Sequence, residues 1–174
     1  FIAVHAGARW RTKRWPVEKF AVIAAKAARR FGGTTLIVGT ADERPLAAQL
    51  RFLLRKFVPA APVRDLTGRT TLPQLAAVLD AADVLVSNDS GPMHLAAGLG
   101  TPVVGVFTCT SPLRSGPPPH GHELLTTNLS CAACYRRRCR YRGKKHMACL
   151  EEISTDRVWE AVVRLMERRY AKAA

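Results

Sequence analysis

No stretch of this sequence has the make-up of a membrane-spanning helix. The longest run without Lys, Arg, Asp or Glu, from Ser90 to Leu113, is broken by prolines, glycines and a histidine, whereas a bilayer requires roughly 20 predominantly apolar residues in one helix. No basic start leads into an apolar run with a small-residue cleavage site, so nothing resembles a signal peptide. Internal repeats and low-complexity linkers are also missing, and 174 residues suit one domain, 1–174, with a proper core. Acids are scarce, with 13 Asp and Glu against 27 Lys and Arg and a net charge of +14. Such a balance suits anionic partners, whether phosphates, nucleic acid or the inner face of a membrane, and by itself does not choose among them. Four of the 5 cysteines crowd at 131, 134, 139 and 149. That is too uneven for a secreted disulfide scaffold and points to a reducing compartment, so a soluble, cytoplasmic chain is expected. The first residue is Phe1, inside an apolar stretch, so a preceding segment of a longer protein is expected.

What is present alternates. Short apolar runs at 1–6, 34–39, 62–66, 83–87 and 102–107 are separated by segments of helical periodicity at 16–30, 41–56, 72–81 and 91–99. Such alternation predicts a Rossmann-like parallel sheet with helices on both faces. The runs "TTLIVG", "DVLVS" and "PVVGVF" are almost wholly apolar, as strands covered on both sides must be. After Thr108 the Pro- and Gly-rich "CTSPLRSGPPPHGHE" predicts an irregular surface loop. A short strand near 123–127, a Cys- and Arg-rich segment and a closing helix over 155–170 complete the expected order.

Ligands of open parallel sheets bind beyond the carboxyl ends of the strands, where loops and helix N-termini meet. "NDSGPMH" falls at such an end. Ser90 suits an N-cap, Gly91 lets the backbone approach a ligand closely, and Pro92 fits a first turn where its missing N–H costs nothing. Free amides of that turn would face an anion, above all a phosphate, and His94 would reach the same group. A carboxylate beside a phosphate is repelled by it, so Asp89 is assigned to the hydroxyls of an attached sugar. The competing reading of the stretch is a merely capped helix start. The first strand runs into "HAGARWRTKRWP", which lacks G-x-G-x-x-G and therefore the usual dinucleotide fingerprint. It offers Arg9, Arg11, Lys13 and Arg14 instead, and a cation aimed at a diphosphate neutralises leaving-group charge as a metal does elsewhere.

Together these pieces resemble the C-terminal, donor-binding domain of the lipopolysaccharide heptosyltransferase family, glycosyltransferase family 9. The likeness runs through "HAGARWRTKRWPVEKFAVIA", "LIVGTADER", "DLTGRTTLPQLAAVLDAADVLVSNDSGPMHLAAGLGTPVVGVFTCTSP" and "CAACYRRRCRYRGKKHMACLEEIS". The resemblance implies an inverting GT-B enzyme whose two Rossmann-like domains face each other across a cleft, with ADP-heptose as donor. It implies that Lys13 stabilises the leaving diphosphate, that Asp89, Ser90, Gly91 and His94 hold sugar and diphosphate, and that Glu43 accepts hydrogen bonds from the ribose. A helix-start acid favoured by the dipole is the other reading of Glu43. No cofactor is required. The general base and the site for a glycolipid acceptor of the lipopolysaccharide core are expected in an N-terminal domain that this chain does not contain, so the chain alone should bind donor without transferring it.

Cys131, Cys134, Cys139 and Cys149 have the ligand count of a tetrahedral zinc site. Their C-x₄-C and C-x₉-C gaps differ from the paired C-x₂-C spacing of a zinc ribbon, which favours buried thiols or a redox-dependent disulfide over structural zinc. Residues 135–146, YRRRCRYRGKKH, are a solvated basic loop or a contact with the anionic inner membrane, where each cation is worth about 1 kcal/mol. Two further functions stand beside the transferase. A nucleic-acid-binding module would explain the charge, yet not the polar residues at the strand ends, and no such motif is present. A non-catalytic nucleotide-sugar binding module would use the same pocket.

Overall fold

The computed structural model describes residues 1–173. Six strands form one sheet, β1 (Ile2–His5), β2 (Thr35–Ile37), β3 (Val63–Asp65), β4 (Val84–Asn88), β5 (Val103–Phe107) and β6 (Glu123–Thr126). Every pairing is parallel and the order is β3-β2-β1-β4-β5-β6. The helices are α1 (Val17–Phe31), α2 (Arg44–Phe57), α3 (Leu72–Asp80), α4 (Gly91–Gly98), α5 (Pro112–Ser115), α6 (Ala148–Glu152) and α7 (Thr155–Ala173). The predicted α/β class and parallel sheet are therefore observed.

Side chains alternate across the strands, and the two faces carry separate cores. Ile2, Val4, Val84, Val86, Val104 and Val106 meet α1, α2 and α7 on one side. Ala3, Leu85, Val103 and Phe107 meet Leu79 of α3 and Met93 and Ala96 of α4 on the other. Alanines 21, 24, 25 and 27 of α1 are buried, so this helix lies close against the sheet, with Phe20 and Ile23 filling the remaining space. It stops at Gly32, whose φ of 68° is the left-handed conformation that ends helices cheaply.

Strand order reverses between β1 and β4. The chain leaves β1 toward β2 on one side and leaves β4 toward β5 on the other, so the loops at their carboxyl ends diverge and open a crevice. Asn88 holds the two loops in register. Its Nδ2 donates to the carbonyls of Ala6 at 2.8 Å and Gly7 at 3.2 Å, and its Oδ1 accepts from the Trp15 amide at 2.9 Å.

Three local details differ from the sequence reading. The segment predicted as a helix from 41 begins as a 3₁₀ turn, Ala41–Glu43, before α2. Thr40 and Glu43 form a capping box there, and the carboxylate's use in the cap tightens the first turn. The loop after β5 carries the short helix α5, started by Pro112 in its first turn. The Cys- and Arg-rich segment holds a 3₁₀ turn, Gly143–Lys145, and α6.

Candidate functional site

A cavity of about 1020 Å³ opens at this crevice, lined among others by His5, Lys13, Glu43, Asp89, Ser90, Gly91 and His94. The structure thus brings all six sequence-predicted pocket residues to one place. Lys13 comes from a 3₁₀ turn after β1 (Arg11–Lys13), Glu43 from the turn before α2, and the remainder from the β4–α4 junction. Lys13 Nζ donates to Asp89 Oδ2 at 2.6 Å, and His94 Nε2 lies 3.8 Å from Asp89 Oδ1. Asp89 is only 5 % exposed, so its charge is balanced by the lysine beside it. Asp89 therefore faces the cavity as half of a neutralised pair and not as a bare negative charge.

Ser90 occupies the N-cap position of α4 with extended backbone, φ −157° and ψ 167°, yet its hydroxyl makes no cap bond. The Oγ lies instead 3.0 Å from His5 Nδ1 and 3.0 Å from Ser87 Oγ. The side chain that would satisfy the first-turn amides is thus drawn aside, and those amides at Gly91 and Met93 keep their capacity to bind an anion. Gly91 borders the cavity, and a Cβ there would meet no atom within 4 Å, so its use is backbone access and not relief of a clash.

His5 is the residue that the sequence reading missed. It is buried at the end of β1, opposite Ser87 in register, and its Nε2 is 3.1 Å from Glu43 Oε2. The one available signal was an imidazole closing an otherwise apolar strand. Burial pushes the Glu43 carboxyl up, but the hydrogen bond and charge of His5, with the amide of Thr40, outweigh it and hold Glu43 down at about 2. The carboxylate therefore only accepts, so Nε2 carries the hydrogen of that bond. Gly7 leaves room for it, since a Cβ at residue 7 would fall 1.8 Å from Glu43 Oε1.

Two walls finish the cavity. Thr70, Thr71, Leu72 and Leu75 line it from the β3–α3 side, and Leu72 is 70 % exposed, an apolar surface that no motif announced. Trp10 also lines the cavity, and its ring meets two cations, with Lys13 Nζ 5.0 Å and the Arg137 guanidinium 5.5 Å from its centroid. Arg137 belongs to the basic segment, which Thr12 anchors by donating to the Arg136 carbonyl at 2.7 Å.

The four predicted cysteines lie apart from this cavity. Cys131, Cys134, Cys139 and Cys149 surround a second, small one together with Cys109, and all five thiols are free. Burial, and then the neighbouring thiols, push Cys149 up to about 11. Among the described residues no group of three or more His, Cys, Asp or Glu is arranged to hold a metal ion. No helix among them is long and apolar enough to cross a membrane.

Comparison with known proteins places this architecture. Residues 1–145 match the model of glycosyltransferase family 9 (heptosyltransferase). The chain belongs to that family. Lipooligosaccharide heptosyltransferase 2 of Campylobacter jejuni is 26% identical over 159 residues, which are 91% of this chain and 48% of the relative. Lipopolysaccharide heptosyltransferase 1 of Pseudomonas aeruginosa is 30% identical over 135 residues, 78% of this chain and 36% of the relative. Among solved structures, Escherichia coli ADP-heptose lipopolysaccharide heptosyltransferase II superposes with a TM-score of 0.80 at 27% identity, covering 97% of this chain and 47% of that one. The chain spans less than half the length of each of these family 9 proteins.

Proposed function

We propose that this chain is the donor-binding half of an inverting heptosyltransferase that takes heptose from ADP-heptose to an acceptor of the lipopolysaccharide core. The observation that carries this reading is the convergence, at the strand-order reversal, of the uncapped α4 N-terminus, the Lys13–Asp89–His94 group and the His5–Glu43 pair on one cavity. About 1020 Å³ accommodates a nucleotide with its sugar. The name of the Escherichia coli neighbour, which includes ADP-heptose, supports the choice of donor.

In this reading the diphosphate lies over the amides of Gly91 and Met93, with Lys13 and His94 beside it. Asp89 accepts hydrogen bonds from the sugar hydroxyls while staying paired with Lys13. Glu43 accepts from the ribose hydroxyls with Oε1, Oε2 being engaged by His5 and by the Thr40 amide at 2.9 Å. The base stacks on the apolar wall of Leu72 and Leu75.

An acceptor hydroxyl attacks the anomeric carbon from the face opposite the diphosphate. As the new C–O bond forms, the old glycosyl C–O bond breaks, its electron pair leaves on the diphosphate, and configuration inverts. Lys13, His94 and the α4 amides meet the charge that develops on the leaving group, the step at which preorganised donors count most. The proton of the attacking hydroxyl goes to a base supplied by the N-terminal domain, so the chain alone binds donor without transferring it.

The enzyme works without a cofactor, in the cytoplasm, where the basic segment beside Trp10 contacts the anionic inner membrane that carries the glycolipid acceptor. Nucleic acid is not a partner. Calorimetric titration with ADP, UDP and an ADP-sugar tests the reading. Binding of the adenine nucleotides, weakened at least tenfold by His94→Ala, is expected; tight binding of nucleic acid with no binding of any nucleotide overturns it.

A further inference from the structure

Hydrogen atoms can be counted through the buried group that joins the end of β1 to the start of α4, because most of its bonds run in one direction only. His5 Nε2 donates to Glu43 Oε2 at 3.1 Å. Its Nδ1 faces two hydroxyls, Ser90 Oγ at 3.0 Å and Ser87 Oγ at 3.3 Å. Ser87 donates its hydrogen to the Asn88 carbonyl at 2.8 Å, so toward its other neighbours it only accepts. Ser90 Oγ, 3.0 Å from Ser87 Oγ, therefore donates either to that oxygen or to Nδ1. One proton decides between the two.

On a neutral ring Nδ1 is a bare acceptor, and the Ser90 hydroxyl turns its hydrogen onto it. On a charged ring Nδ1 carries a hydrogen of its own and donates to Ser90 Oγ. The serine hydrogen is then released from the ring, with only the neutral Ser87 hydroxyl to hold it. Ser90 borders the cavity and directly precedes the first turn of α4. A phosphate oxygen at that place is a charged acceptor and draws the hydrogen away from the neutral one.

The surroundings of the ring favour its charged form. His5 is buried, which by itself opposes a cation. Facing it is Glu43, from the turn before α2, whose carboxyl stays ionised down to about 2 against its own burial. The flanking strands β2 and β4 carry no titratable side chain. The other charged groups on the cavity are Arg9 and Lys13 from the loop after β1, and Asp89 and His94 from the β4–α4 junction. Lys13 and Asp89 offset each other at 2.6 Å, while Arg9 and His94 are open to solvent. A diphosphate over the α4 amides adds negative charge on the Ser90 side of the ring, as Glu43 does on the other, so ligand and proton assist each other's binding.

We propose that His5 is a positioning residue of the donor site: as an imidazolium it holds Glu43 through Nε2–H and Ser90 Oγ through Nδ1–H, so that Ser90 donates its own hydrogen to a donor phosphate. Loss of the Nδ1 proton to solvent reverses the Ser90 bond, removes a cation from behind the phosphate and lowers donor affinity, while the Nε2 bond to Glu43 stays. Donor binding is thus coupled to proton uptake at His5. This role rests on the reading of the cavity as a nucleoside diphosphate site.

Calorimetric titration of the full-length protein with ADP between pH 6 and pH 9, repeated in buffers of different ionisation enthalpy, measures affinity and proton uptake together. Native protein, His5→Gln and Ser90→Ala are compared, since the titrations of ADP itself and of His94 are common to all three and cancel. Native affinity should fall with rising pH at least fivefold more than that of His5→Gln, and the native protein should take up more protons per ADP bound. Ser90→Ala should lower that uptake by half or more, and His5→Gln should cost less affinity in the Ser90→Ala background than alone. Far-UV circular dichroism shows whether each variant is folded; if His5→Gln is not, the proton uptake of Ser90→Ala decides by itself. Parallel pH profiles and equal proton uptake in native and folded variant proteins overturn the role of His5 and leave the nucleotide site standing. No binding of ADP by the native protein at any of these pH values overturns that site, and the role of His5 with it.

Discussion

Replacing His5 by Leu removes the group that joins the β1 end to the Glu43 turn while keeping the site filled. In the native protein the Glu43 carboxyl is held at about 2, from an ordinary 4.5. At 1.36 kcal/mol per pK unit that difference has a ceiling of about 3 kcal/mol. Glu43 borders an open cavity, so solvent screening reduces the figure to about 1–2 kcal/mol. Loss of the hydrogen bonds at His5 Nδ1 adds about 1 kcal/mol. His5→Leu should therefore cost about 2–3 kcal/mol and lower Tm by about 5–10 °C for a chain of this length.

The pH dependence separates the charge from simple packing. A depressed carboxylate stabilises the fold fully above its unfolded value and loses that contribution as pH falls from about 4.5 through about 2. In His5→Leu, burial acts on Glu43 with less to oppose it, and the carboxyl titrates higher. The stability gap between native and variant proteins should be constant from pH 7 to pH 5 and should shrink by about half or more on going to pH 2.5. Urea midpoints at these pH values measure it, with carboxyl NMR of Glu43 as the direct readout. An equal gap at pH 7 and pH 2.5, with Glu43 unmoved in the variant, would refute the account of the pair.

Gly7→Ala places a methyl group where Glu43 Oε1 now lies, so we expect displacement of the carboxylate, a loss of about 2 kcal/mol in chemical denaturation and at least tenfold weaker nucleotide binding. Lys13→Ala strips Asp89 of its 2.6 Å partner; donor affinity should fall and transfer by the full-length enzyme should fall further, in kcat, whereas a selective rise in KM would assign Lys13 to ground-state binding alone. Trp15→Phe deletes the bond from Nε1 to the Ile153 carbonyl at 3.0 Å at a fully buried site, and should cost about 1–3 kcal/mol by thermal denaturation while leaving nucleotide binding intact. Replacing Arg137 and Arg138 by Gln should weaken sedimentation with phosphatidylglycerol vesicles at 0.1 M salt, and unchanged sedimentation would remove the basic segment from the membrane contact.

Much of this protein is legible in one dimension because its signals are local. Hydrophobic period and β-branched runs marked β1 to β5 and the four helices between them, and the bare apolar character of "DVLVS" and "PVVGVF" announced strands covered on both faces. The D-S-G-x-x-H turn gave the strand-to-helix junction and the place of Ser90, Gly91 and His94 on the cavity, since the glycine, the first-turn proline and the imidazole all follow from chain geometry within one turn. The helix start at 41 was misjudged by one 3₁₀ turn, because the choice between i→i+3 and i→i+4 bonding there was made by a carboxylate that also answers to His5 from another strand.

Tertiary structure alone decided which residues share the site. The order β3-β2-β1-β4-β5-β6 brings His5, Glu43 and Ser90, separated by 38 and 85 residues, within hydrogen-bond reach of one imidazole. It also converts Ser90 from the expected helix cap into a partner of that ring. Lys13 and Asp89 neutralise each other only because the β1 and β4 loops end side by side, and Leu72 and Leu75 become a wall only because α3 crosses back to the second face. Sequence determines such local conformations through near-neighbour sterics and hydrogen bonds. Charge balance, burial and pocket walls depend on distances across strands, and those exist only once the sheet is assembled.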